Sequence, residues 1–199
     1  MMRVRAARRP GGRFALAMGG ALSLFVSRAG FADSTAVPAD VQATLLAKLE
    51  RYDRSFPARA GDAARVLLVV KPGNTKSTLA SEEMKSALGR LPAIGGLPHK
   101  ELVHEYKGAD ALAARCRADR VAVVYLTPGF DAELRDIRAA LTTLDVLSLA
   151  SLPEYVSQGM VLGFELEAGA PKILFNLDQA RKQHVDFPAD VLHLMKVYR

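Results

Sequence analysis

The residues best placed to do chemistry lie in two stretches. In the first, Gly73, Asn74, Thr75, Lys76, Ser77 and Thr78 follow the apolar run 65–71 and lead into a helical pattern. A loop running from a strand into a helix N-terminus gathers backbone N–H groups and the positive end of the helix dipole, which suits an oxyanion. Lys71, Asn74, Lys76 and Ser77 are the candidate contacts. The phosphate-loop pattern needs two glycines four residues apart before the Lys-Ser/Thr pair, and that spacing is missing. Ser77 or Thr78 can equally be read as the cap of the following helix. In the second stretch, Arg51, Tyr52, Asp53, Arg54, Ser55, Phe56, Pro57, Ala58, Arg59, Ala60, Gly61 and Asp62 alternate charge with rings, and Pro57 and Gly61 mark a turn or loop. Such a loop either holds the preceding helix against the body by ion pairs or serves a partner as a recognition surface. Tyr52, Asp53, Arg54 and Arg59 are its candidate partner or ligand contacts. Tyr52 is also expected to pack on the buried face of the preceding helix.

Beyond these stretches the chemistry thins out. His99, His104, His184 and His193 show no metal-ligand spacing, and a lone Cys116 supplies no zinc site. There is no Gly-x-Ser-x-Gly elbow and no carboxylate pair held close by its spacing. The reading is therefore a non-enzyme, with no catalytic residue, no metal and no cofactor. Cys116 shares a helix face with Ala109, Leu112 and Ala113, which points to a small buried apolar residue; an intermolecular disulfide or a reactive thiol is the sharper alternative.

The chain carries 27 Lys and Arg against 21 Asp and Glu, a formal charge of +6. Six of the arginines (3, 5, 8, 9, 13 and 28) fall within residues 1–32, which hold no acid, so the remainder is electrically neutral. A neutral body exerts no general pull on a phosphate backbone, and no nucleic acid is expected as a partner. Residues 1–32 also have the anatomy of a secretory signal. An arginine-rich start precedes the apolar run 14–26, and Gly30-Phe31-Ala32 places small residues where a signal peptidase reads them. The expectation is cleavage before Asp33, a periplasmic location, and a domain over 33–199.

The elements that must position the two loops follow from periodicity. Residues 65–71 and 121–126 are continuous apolar runs, as in strands covered on both faces. Helical patterns follow each, the first with Ala80, Met84, Ala87, Leu88 and Leu91 on one side, the second with Leu134, Ile137, Leu141 and Leu144. Strands are expected at 101–106 and 146–149, and Ser151-Leu152-Pro153-Glu154 reads as a capping box. Residues 160–167 alternate like a half-buried strand, 172–175 form its hairpin partner, and Asn176 with Gln179 reads as a capped helix start. Val191, Leu194, Met195 and Tyr198 fall on one face of a last helix opening near Pro188. Strand and helix alternation predicts a single α/β domain: a mostly parallel sheet with helices on both faces, an antiparallel hairpin and a terminal helix.

Three stretches resemble the YfiR-like family of exported bacterial proteins. They are the Tyr52-Asp53-Arg54 segment with its continuation to Asp62, the strand 121–126 ending in Thr127-Pro128-Gly129, and the run from Gly159 to Tyr198. The resemblance implies a periplasmic regulator that restrains an inner-membrane sensor protein, of the diguanylate cyclase type, by engaging its periplasmic part. It implies a homodimer and a role in cyclic di-GMP signalling and biofilm formation. The best-known member carries paired cysteines that link it to envelope redox state, and a chain with Cys116 alone departs from that pattern. A periplasmic small-ligand or anion sensor using the 71–78 loop is the alternative reading.

Overall fold

The structure is a computed structural model that describes residues 37–199; the signal segment expected at 1–32 lies outside the described residues. In chain order the elements are α1 (Ala39–Leu49), α2 (Phe56–Ala60), β1 (Ala64–Val70), α3 (Thr75–Leu88), β2 (His99–Glu105) and α4 (Ala109–Ala118). There follow β3 (Val123–Leu126), α5 (Leu134–Leu141), β4 (Leu147–Ala150), α6 (Glu154–Ser157), β5 (Leu162–Glu167) and β6 (Ala170–Asn176). The chain closes with α7 (Leu177–Lys182), α8 (Ala189–Leu192) and β7 (Met195–Tyr198).

The seven strands form one sheet in the order β2-β1-β3-β4-β5-β6-β7, parallel except for the β5–β6 hairpin. The apolar runs explain the centre. Successive β1 side chains point to opposite faces, so Val66 and Leu68 enter one core while Leu67 and Val69 enter the other. In β3, Val123 and Tyr125 divide from Val124 and Leu126 in the same way. The first core is closed by α1, α2, α3 and α7, the second by α4, α5 and α6. Chirality accounts for this division. The β1–α3–β2 crossover steps one way along the sheet and β2–α4–β3 steps back past β1, so right-handed crossovers put α3 and α4 on opposite faces.

Three sequence expectations are corrected. The last helix is only Ala189–Leu192; Met195–Tyr198 is an edge strand, registered Ile173 to Met195 and Asn176 to Tyr198. The helical spacing of Val191, Leu194 and Met195 is real, but Leu194 stays 66% exposed. The free edge of β6 offers backbone donors and acceptors, and a short Val-Tyr-bearing segment satisfies them better as a strand. Residues 160–164 are buried continuously rather than alternately, because this part of the strand lies between helical layers; only Glu165–Glu167 emerges. Ser151 makes no capping bond to α6, and its hydroxyl is buried without a partner among the described residues.

One seam of the sheet is held by side chains. β4 and β5 share a single register pair, Leu149 with Leu162. Beside it the Val161 amide donates to Ser148 Oγ at 3.0 Å, and the Ser148 amide donates to Gln183 Oε1 at 3.2 Å. Asn176 caps α7 as expected, its Oδ1 accepting from the Gln179 amide at 2.9 Å, while its Nδ2 donates to the Val156 carbonyl.

Candidate functional site: the 50–62 turn and the strand-end crevice

The second stretch is built around a buried ion cluster. Glu50 ends α1, Asp53 lies in the turn after it, and Arg59 comes from α2. The Arg59 guanidinium reaches Glu50 Oε2 at 3.0 Å and makes a close ion pair with Asp53. All three side chains are at most 2% exposed. One guanidinium thus faces two carboxyl groups away from water. Burial raises the Glu50 pKa from the usual 4.5 to about 8, against the opposing pull of Arg59, and the Asp53 carboxyl raises it further. Holding a proton on Glu50 leaves one negative charge for one positive charge. Glu50 Oε1 and Arg59 Nε and Nη1 remain without a hydrogen-bond partner among the described residues.

Asp53 also ties the turn to a distant segment. Its Oδ1 accepts from the amides of Ser55 and Asp186, both at 3.0 Å, and the Arg54 amide donates to the Asp186 carbonyl. Phe56 inserts beneath the turn and is almost completely buried; Gly95, at φ +59°, passes so close that a Cβ there would sit 2.3 Å from its ring. The outward side is different. Tyr52 is 55% exposed, which corrects its placement on the buried face of α1: the helix ends at Leu49, and the turn carries Tyr52 outward. Arg51 and Arg54 are exposed beside it in sequence, and Arg54 pairs loosely with Asp186 at 3.5 Å. Of the four candidates here, Asp53 and Arg59 are therefore anchors, while Tyr52 and Arg54 face solvent. Glu50 was not singled out from the sequence. Its place at the end of an amphipathic helix, nine residues before Arg59, was the available signal.

The first stretch sits in the crevice at the carboxyl ends of β1 and β3, where sheet order reverses and ligands commonly bind. Here the crevice is occupied by the protein's own groups. Asn74, not Ser77 or Thr78, caps α3, accepting from the Ser77 amide at 3.0 Å. Ser77 is fully buried. Its hydroxyl accepts from the Lys71 amide at 2.7 Å and meets Thr127 Oγ1 at 2.5 Å, and Thr127 in turn donates to the Val69 carbonyl. Lys71 Nζ pairs with Glu133 at 2.9 Å and lies 5.8 Å from the centre of the Phe130 ring. Gly129, at φ +98°, lets Asn74 approach so closely that a Cβ would sit 2.3 Å from Asn74 Nδ2. The Tyr155 hydroxyl accepts from the amides of Gly129 and Phe130. The structure thus brings Lys71, Asn74 and Ser77 together but commits each internally, leaving exposed Lys76 apart. Thr127, Glu133 and Tyr155, which close the crevice, gave no sequence signal for that role.

Cys116 is a buried free thiol whose pKa burial pushes up to about 12, so it is held as the neutral, unreactive form. No group of three His, Cys, Asp or Glu side chains among the described residues could hold a metal ion.

The architecture is that of an α/β domain whose strand-end crevice is closed from within. The chain belongs to the YfiR/HmsC-like family, whose model matches residues 39–196. The match covers both loops and both cores, and it agrees with the family resemblance seen in the sequence. A comparison with curated proteins gave no match. Among solved structures, the chain is similar to an ABC domain in complex with L-Trp from Streptococcus pneumonia, at 12% identity and TM-score 0.54 over 80% of this chain and 61% of that one. It is also similar to a conserved domain protein from Vibrio cholerae, at 11% identity and TM-score 0.56 over 81% and 60%. A third is CD0873, a substrate binding protein with adhesive properties from Clostridium difficile, in its ligand-free, open structure, at 10% and 0.53 over 73% and 57%. The chain spans about three fifths of the length of these proteins, and at such identities the likeness is one of fold. The YfiR-like family is one of periplasmic regulatory proteins. No helix among the described residues is long and apolar enough to cross a membrane.

Proposed function

We propose that this chain is a periplasmic regulator that restrains a membrane-bound signalling protein, of the diguanylate cyclase type, by binding its periplasmic part. The family match over residues 39–196 carries this reading. The geometry supports a binding role for the 50–62 turn. Tyr52 and Arg54 stand in solvent on a backbone pinned from below by Asp53, and an aromatic beside an arginine on a rigid loop loses little entropy on binding. The protein acts as a homodimer and is exported by cleavage of residues 1–32, as its family resemblance and its sequence suggest.

Deletion of the gene in the native host tests the reading, with intracellular cyclic di-GMP as the readout. The level should rise, and the wild-type chain, but not a Tyr52→Ala/Arg54→Ala form, should restore it while co-purifying with a membrane protein that carries a cyclase domain. An unchanged level in the deletion strain, together with no membrane protein retained under mild extraction, would overturn it.

A further inference from the structure

The opposite end of the sheet carries an open cleft of about 590 Å³, between the starts of β1, β3 and β4 and the ends of α2 and α4. Its rim holds Arg65, Arg117 and Arg120, and its wall includes the buried apolar side chains of Val121, Leu144 and Val146. The size is that of a small-molecule site, and an apolar wall with a few convergent polar groups is the usual composition of one.

The charges of this cleft are uneven. Neither Arg117 nor Arg120 has an ion-pair partner among the described residues. Arg117 reaches only the Thr143 hydroxyl, at 3.4 Å. Arg65 is held at 3.3 Å by Asp62, whose side chain is itself almost fully in solvent, and Asp145 in the wall is paired with His184. Arg59 also contributes to the wall. Helix ends do not account for the arginines. The last carbonyls of α4 already accept from the amides of Asp119, Arg120 and Val121, and Arg138 and Leu141 near the end of α5 accept from Thr142 and Leu144. Arg120 holds φ at +50° because it follows the C-cap of α4, where a left-handed residue ends the helix and the Val121 amide donates to the Cys116 carbonyl, and that turn carries its side chain to the cleft rim.

We infer that this cleft binds a small oxyanion with an apolar body, the carboxylate or phosphate held by Arg117 and Arg120 and the body laid against Val121, Leu144 and Val146. The planar guanidinium fork suits either head group, and neither exposed arginine is ion-paired among the described residues, while the two carboxylates of the lining, Asp62 and Asp145, are engaged by Arg65 and His184. The site lies beyond the strand starts, away from the crevice closed by Ser77 and Thr127. It shares the α2–β1 segment with the 50–62 turn, so an occupant touches the same stretch of chain that Arg59 anchors.

Isothermal titration of the purified chain with phenyl phosphate, 3-phenylpropionate and inorganic phosphate tests this. At least one aromatic probe should bind saturably and more tightly than inorganic phosphate, and the tighter of the two identifies the preferred head group. The Arg117→Ala/Arg120→Ala form should lose about tenfold or more in affinity for each charged hydrogen bond removed. Arg120→Gly should weaken binding while raising the Tm, because glycine relieves the backbone at that position; Lys76→Ala should leave binding unchanged. Saturable binding by none of the probes, or equal binding by the double-alanine form, would overturn the inference. So would loss of binding on Lys76→Ala.

Discussion

The turn at 50–62 and the crevice loop at 71–78 carry similar residues and do different things with them. In the crevice, one lysine meets one carboxylate, both about 30% exposed, and buried hydroxyls link backbone groups one to one. In the turn, one buried arginine is shared by two buried carboxyl groups, and polar atoms remain unmatched. The crevice is locally satisfied and its ion pair is replaceable. The turn is over-subscribed, so its stability depends on every member and on pH. Depth, rather than residue type, separates the two.

Removing the shared arginine is the most disruptive test of this contrast. Arg59→Met leaves Glu50 and Asp53 facing each other in the core, and breaking a buried ion pair from one side typically costs about 3–5 kcal/mol. Denaturant unfolding should show a loss of that order, whereas Lys71→Met, at a pair about 30% exposed, should cost under about 1 kcal/mol. Equal losses at the two sites would erase the distinction.

The pH dependence is the next largest effect, and its sign is set by Glu50. The folded pKa is raised from 4.5 to about 8, so Glu50 remains protonated in the folded state where the unfolded chain has released its proton. Its contribution is fully present below about pH 4.5 and is lost as pH rises to about 8, at up to about 1.4 kcal/mol per pH unit. Glu50→Gln should flatten this slope and make the variant more stable than wild type at pH 8. A wild-type stability that holds or rises between pH 5 and pH 8, with no difference from Glu50→Gln, would show that the cluster is not over-charged.

Ser77 tests the crevice from the inside. Its fully buried hydroxyl serves Lys71 and Thr127 together, so Ser77→Ala should cost about 1–3 kcal/mol by leaving buried polar groups unpaired. Thermal unfolding would show it as a clear fall in Tm. A neutral result would mean the crevice can admit water, and with it a ligand, which reopens the anion-sensor reading of that loop.

Much of this arrangement was legible in the sequence. The apolar runs at 65–71 and 121–126 announced central strands because a strand covered on both faces has no polar side. Asn176 announced its cap because the bond to Gln179 is local. What escaped was decided by contacts distant in sequence. Met195–Tyr198 has a helical spacing, and only the open edge of β6 makes it a strand. Ser77 looked like a helix cap or an anion contact until Thr127, fifty residues on, claimed its hydroxyl. Arg59 was open to two readings, an ion pair holding the first helix or a partner contact, and only the fold of the turn, which buries it between Glu50 and Asp53, decides for the first.

Tyr52 gives the smallest stability effect and sharpens the contrast most for function. It lies one residue from buried Asp53 yet is 55% exposed, so the anchored turn presents it without packing it. An exposed residue away from such buried features alters stability by within about 0.5 kcal/mol, and Tyr52→Ala should leave the Tm nearly unchanged. The same substitution should weaken capture of the membrane partner, because truncating an aromatic anchor on a rigid loop typically removes about 2 kcal/mol or more of binding energy. A Tm lowered as far as by Ser77→Ala would return Tyr52 to the core. Unchanged stability with unchanged capture would move the recognition surface off the 50–62 turn.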